Sequence, residues 1–322
     1  MGVVVVAVAL LGGGAGIAVA TAGGSGTTPS ASRIRFTRRP SVHPTTSSTR
    51  PGPPPPYPVT LVQLPFIDPS RSTAARGGQP AHSGRTLVTT IYVPTTPAVG
   101  PFPLVLFAHG FNQSTATYAG LLRTVAAGGY VVAAPDFPLT SAAFPGPAVR
   151  SDVLNEPADV SFLITAISSA AAQPGPLQGQ VAPGKAAVMG HSDGAVTAAA
   201  VAFNSCCVDA RVGAAVVLSG AESQFRGSWF GHHSPALLVV HGDADTVNPL
   251  PSGQLLYAGS TGPAFLVTVN GGTHLGPFTT DPVRTLVGRV IVDFLDSELE
   301  DDGSAGPRLQ ADGNVAGVLT MP

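Results

Sequence analysis

The sequence predicts an α/β fold with a mostly parallel sheet. Three observations lead there. Apolar runs of strand length alternate with helical stretches from residue 86 onward, the pattern of a sheet covered by helices. Most of those runs are continuously apolar, as strands buried on both faces must be. Of the 322 residues, 44% are hydrophobic and only 11% charged, so one large core is within reach.

Taken in order, "TLVTTIYVP" (Thr86 to Pro94) reads as a strand rich in β-branched residues, and "PLVLFAHG" (Pro103 to Gly110) as a buried one. "STATYAGLLRTVAAGG" (Ser114 to Gly129) is helical, with Ser114 at the N-cap position and Gly128 as the stop. "YVVAAPD" (Tyr130 to Asp136) is the next strand, and "PADVSFLITAISSAA" (Pro157 to Ala171) a helix opened by proline. The strand "KAAVMG" then runs into a small-residue helix from Gly194 to Phe203. "AAVVLSG", "ALLVVHG" and "AFLVTVNG" are three further strands, the last followed by the helix "DPVRTLVGRVIVDFLDSEL". These elements define a domain over residues 57–299.

The flanks differ. Gly2 to Ala20 is uncharged and apolar, and Ala18-Val19-Ala20 fits a small-residue cleavage site, so residues 1–22 are expected to be an export signal. No positive stretch precedes it, and arginines follow at Arg33, Arg35, Arg38 and Arg39, which keeps a membrane anchor as the second choice. Residues 23–56 are rich in Pro, Ser and Thr, cannot bury a core, and read as an extended linker. A secreted or cell-surface protein is expected, with membrane or cell-wall association through the N-terminus as an option. Residues 300–322 lack periodicity and are expected to be a loose tail. The net charge of −2 gives no footprint for nucleic acid. The two cysteines, Cys206 and Cys207, are adjacent. They are no disulfide framework; a bond between the neighbours is the alternative, but they read first as small residues in or near the core.

Chemistry concentrates where strands end, which is where sites form in open parallel sheets. Gly190-His191-Ser192-Asp193-Gly194 matches G-x-S-x-G, with a strand before it and a helix after it. That context fits a nucleophile elbow, whose strained turn holds a serine outward. A serine hydroxyl needs a base. Of the eight histidines, His274 in "VNGGTHLGPF" lies beyond the last strand and downstream of the serine, which suits the chain order serine, acid, histidine. The acid belongs after a strand between them, and "LLVVHGDADTVNP" offers Asp243 and Asp245. The same loop read as a metal cluster of His241, Asp243 and Asp245 has no fourth ligand in view. An oxyanion needs two donors. These are the backbone N–H of Asp193 and one from the loop after "PLVLFAHG", where Phe111 is the candidate. The Asp193 carboxylate is expected to point away from the oxyanion.

These stretches resemble the chlorophyllase, platelet-activating-factor acetylhydrolase and bacterial cutinase group of α/β-hydrolases. The resemblance runs in order through "PFPLVLFAHGFNQSTATYAGLLRTVAAGGYVVAAPDFP", "VMGHSDGA", "PALLVVHGDADTVNP" and "VNGGTHLGPF". It implies Ser192 as nucleophile, His274 as base, Asp245 as acid, and Phe111 in the oxyanion hole. It also implies an α/β-hydrolase fold with helices on both faces of the sheet, and short connections leave no room for a large lid. Ala195 replaces a glycine common in the group, and Ala221 stands near the place of a cutinase tryptophan. Trp229 lies too far along to match. The expected activity is hydrolysis of aliphatic or bulky carboxylic esters through an acyl-enzyme, on a small-molecule or polymeric ester, without metal or organic cofactor. A catalytically silent surface-binding protein and an acyltransferase on the same triad are the alternatives.

Overall fold

The structure is a computed structural model that describes residues 56–95, 100–184, 186–221, 225–231 and 233–322. The expected leader and residues 23–55 of the expected linker lie outside the described residues.

The strands are β1 (Val59–Asp68), β2 (Arg85–Pro94), β3 (Leu104–Ala108), β4 (Val131–Asp136), β5 (Ala186–His191), β6 (Val212–Leu218), β7 (Ala236–Gly242), β8 (Ala264–Val269) and β9 (Leu319–Thr320). They form one sheet in the order β1-β2-β4-β3-β5-β6-β7-β8-β9. The six strands from β4 through β8 in that order pair in parallel. β1, β2 and β9 join antiparallel. This is the α/β-hydrolase architecture, and no large lid interrupts the described residues.

Side chains on a strand alternate between faces. Leu104, Leu106 and Ala108 of β3 therefore enter one core and Val105 and Phe107 the other. The first core is covered by α2 (Glu156–Ala171), α3 (Asp193–Phe203) and α4 (Leu250–Gly259). The second is covered by α1 (Ala119–Ala127), α6 (Val283–Glu298) and α7 (Ala305–Asp312), with α5 (Gly276–Thr279) at its end.

Three local expectations are corrected. Residues 300–322 are packed: α7 buries Leu309, and Leu319 pairs with Val269. Arg308 ties this segment to α6 through Asp293 and Asp296 at 2.8 and 2.9 Å, and pairs with Asp302 within the segment at 3.3 Å. Ion pairs and a few scattered apolar anchors, Leu309, Leu319 and Met321 among them, hold it without a periodic pattern. Cys206 and Cys207 are joined in a disulfide at the surface, with Cys207 against a small cluster of Val153, Val196, Ala200 and Phe225. Ser114 makes no side-chain cap. A 3-10 turn (Thr115–Tyr118) comes first, and the Asp136 carboxylate accepts the Thr115 N–H at 3.0 Å.

Two buried polar groups fix the segments under the site. Arg85, fully enclosed, reaches Asp159 at 2.7 Å and Asp152 at 2.6 Å. Asp152 belongs to the 3-10 turn Arg150–Asn155, so this pairing anchors that turn to β2. Glu156 accepts hydroxyl hydrogens from Thr140 at 2.7 Å and from Thr197 of α3 at 2.8 Å. Burial raises its carboxyl from 4.5 to about 8 against the two threonine bonds that oppose the rise.

A raised carboxyl costs stability once the unfolded chain ionises and the folded chain does not. Stability should therefore fall as pH climbs from about 4.5 to about 8. Glu156→Gln removes that slope, so it should raise the melting temperature at pH 8 and leave it nearly unchanged at pH 4. An equal gain at both pH values in thermal unfolding would contradict the assignment.

Candidate active site

Ser192 closes β5 and opens α3 at φ 56° and ψ −123°. Few side chains accept that backbone, and it costs of order 1–3 kcal/mol. Its neighbours make it fit. A Cβ on Gly190 would meet the Gly194 carbonyl oxygen at 2.0 Å, and one on Gly194 would meet that of Ala108 at 2.2 Å. The pattern of glycines is thus dictated by the close pass of β3, β5 and α3.

His274 lies on the loop between β8 and α5. Its Nε2 is 2.8 Å from Ser192 Oγ, and its Nδ1 is 2.8 Å from Asp245 Oδ2. Asp245 Oδ1 accepts the N–H groups of Val247 and Asn248, each at 2.9 Å. Burial alone would raise the Asp245 carboxyl. The bonds from His274, Asn248 and Val247 outweigh it and hold the group below the ordinary carboxylate range. Asp243 points elsewhere: its Oδ1 takes the Gly271 N–H at 2.6 Å. His241 donates from Nε2 to the Asn248 carbonyl at 2.7 Å and so braces the turn that bonds Asp245.

Phe111 and Asp193 face the same end of the sheet from two elements. A tight turn closed by the Gln113 N–H on the Gly110 carbonyl carries Phe111. His109 steadies it, donating from Nδ1 to the Gly110 carbonyl at 2.9 Å and accepting the Phe137 N–H at 3.1 Å. Among the described residues neither the Phe111 nor the Asp193 backbone N–H is spent on another protein group. The Asp193 carboxylate bonds Arg150 at 2.7 Å.

One network went unseen in the sequence. The Gly110 N–H donates to the Tyr118 hydroxyl at 3.3 Å, which donates to His191 Nδ1 at 2.7 Å. His191 Nε2 then donates to the His274 carbonyl at 2.8 Å. The ring rests on His274 at 4.7 Å and Phe278 at 5.2 Å between centroids. Burial drives the His191 imidazole down to about 3, so it is neutral and its tautomer is set by these partners. The elbow, the turn bearing Phe111 and the loop bearing His274 are thereby tied together. Only the position of His191 beside Ser192 hinted at this. Nothing in the local sequence marked Tyr118.

The arrangement is a hydroxyl, an imidazole and a carboxylate in one hydrogen-bonded line, with two unspent N–H donors nearby. Such a set can activate the hydroxyl and stabilise an oxyanion. Among the described residues no group of three or more histidines, cysteines or carboxylates is placed to hold a metal ion.

Comparison with known proteins gives two matches. The Chlorophyllase family model matches residues 78–222, which include Phe111 and Ser192 but stop before Asp245 and His274. A bis(hydroxyethyl) terephthalate hydrolase from Streptomyces coelicolor is 30% identical over 217 residues. That alignment takes in 66% of this chain and 62% of the relative, so the chain spans less than two thirds of the relative's length. With the sheet order and elbow described above, these matches show that the chain is similar to the chlorophyllase and polyester hydrolase-like group and has the α/β-hydrolase fold.

Proposed function

We propose that the protein is a serine carboxylic-ester hydrolase working through an acyl-enzyme. The observation that carries this is the unbroken line Asp245–His274–Ser192, with both hydrogen bonds at 2.8 Å. His274 Nε2 takes the Ser192 proton as Oγ adds to the ester carbonyl. The Phe111 and Asp193 N–H groups hold the oxyanion. His274 then gives the proton to the leaving alkoxide, and the alcohol departs. Water, deprotonated by the same nitrogen, attacks the acyl-enzyme, and the acid leaves as Ser192 regains its proton. Asp245 keeps Nδ1 protonated and stabilises the imidazolium.

The relative's name points to a small aromatic diester as one substrate for this chain. Ala221 offers little flat surface for stacking a polymer's aromatic unit. Trp229 packs half-buried against the core beside Phe230. We therefore favour soluble esters over polyester films. Export is part of the proposal. It is supported by the apolar Gly2 to Ala20 stretch and by the Cys206–Cys207 disulfide, since disulfides persist in oxidising compartments.

Three outcomes test this. Ser192→Ala should lower kcat on a nitrophenyl ester by at least about 10⁴-fold, and Asp245→Asn by about 10² to 10⁴-fold. Asp243→Asn should cost far less, because it touches only the Gly271 N–H. A loss at Asp243 equal to that at Asp245 would reverse the acid assignment. On a substrate panel, nitrophenyl butyrate and bis(hydroxyethyl) terephthalate should be cleaved readily and an aromatic polyester film slowly. Faster release from the film than from the soluble diester would overturn the preference. Fractionation of the native host should place the mature chain outside the cytoplasm. A soluble cytoplasmic form retaining Gly2 would refute export.

A further inference from the structure

Asp193 creates an electrostatic problem. Its N–H is one of the two donors assigned to the oxyanion, yet the same residue carries a carboxylate. A negative charge beside a developing negative charge raises the barrier, and more so where water is excluded. The Asp193 side chain is only 9% exposed, so solvent does little to screen it. Its Oδ2 is enclosed without a hydrogen-bond partner among the described residues. Its Oδ1 takes one strong bond, from Arg150 at 2.7 Å.

Arg150 is 63% exposed, and an arginine so placed normally contributes little through an ion pair. Two features hold it in place. Its guanidinium carbon lies over the Phe111 ring, 5.5 Å from the centroid, a cation–π contact. The turn that carries it is anchored from beneath by the buried Asp152–Arg85 pair. The guanidinium thus spans Phe111 and Asp193, the two residues whose N–H groups would bind the oxyanion. We propose that Arg150 is a positioning residue of the oxyanion hole. It cancels the Asp193 carboxylate and pins the Phe111 turn to the elbow. This rests on the acyl-enzyme role of Ser192.

The test is a double-mutant cycle on a soluble nitrophenyl ester, using the full chain and variants Arg150→Gln, Asp193→Asn and the pair. Active sites are counted in each by covalent titration with a fluorophosphonate, so that misfolded protein is excluded from kcat. Arg150→Gln should lower kcat about tenfold or more and change KM less than about threefold, because the loss is confined to the transition state. The same substitution in the Asp193→Asn background should cost less than about threefold, because no carboxylate remains to be cancelled. Arg150→Lys should recover part of the loss by restoring the charge without the planar stack. Equal costs of Arg150→Gln in the two backgrounds, or a change confined to KM, would overturn the proposal. Ser192→Ala in the same assay separates the two layers. If it keeps activity, the acyl-enzyme reading fails. If it is inactive while Arg150→Gln matches the wild type, only the role of Arg150 fails.

Discussion

The backbone of Ser192, held at φ 56° and ψ −123°, is the constraint on which the rest of the site depends. A residue so strained persists only where its surroundings over-determine it. Here they do so by packing. α3 is buried along its whole length, and its Ala195, Ala198, Ala199, Ala200 and Ala202 let it lie close on the sheet. Gly190 and Gly194 allow the carbonyls of α3 and β3 to come within what would be a Cβ radius. The low aromatic content, 6%, matches this need. Bulky side chains in α3 would push the elbow off the sheet and relax the turn.

Strain sets the position of the hydroxyl but not of its partners, which sit on separate loops. Buried polar bonds supply that second layer. His191, next to the nucleophile in sequence, holds the His274 backbone and is itself held by Tyr118. Asn248 gives its N–H to Asp245 and its side-chain N–H to the Ser219 carbonyl at 2.8 Å. His191, Tyr118, Asp245 and Ser219 are enclosed, so breaking one of their bonds leaves a buried partner unsatisfied in a low-dielectric interior. The loops are therefore held to one arrangement although they carry little apolar surface of their own.

How much of this the sequence disclosed follows from which forces are local. Strands β3 through β8 were legible because burial on both faces forces unbroken apolar runs. The elbow was legible because its glycines are sterically obligatory. The order of Ser192, Asp245 and His274 could be read, though the choice between the two aspartates needed resemblance. β1 was missed because its inward residues, Val59, Val62, Leu64 and Phe66, are only half-buried and Pro65 lies among them. Proline is tolerated there because the strand is at the sheet edge. α4 was missed because only Gly253 and Leu256 are buried, so no apolar stripe marks it. The last 23 residues were misread because their anchors, the carboxylates around Arg308 and the buried Leu309, Leu319 and Met321, follow no regular spacing. Tyr118 and His191 meet across 73 residues of sequence, and no local pattern records such a contact.

The site has a floor and a rim with different physics. On the floor, His191, His241 and Asp245 are at most 5% exposed, and their bonds leave little freedom. On the rim, Arg150 and Val247 are each 63% exposed. Arg150 belongs to both, since its charge is spent on the enclosed Asp193 while its side chain stands in solvent. Val247 likewise gives its backbone N–H to Asp245 and leaves its side chain free. Rim side chains of this kind can change without disturbing the proton path, provided the backbone bonds beneath them stay. An open rim over a fixed floor lets the proposed chemistry be kept while the ester it accepts is varied.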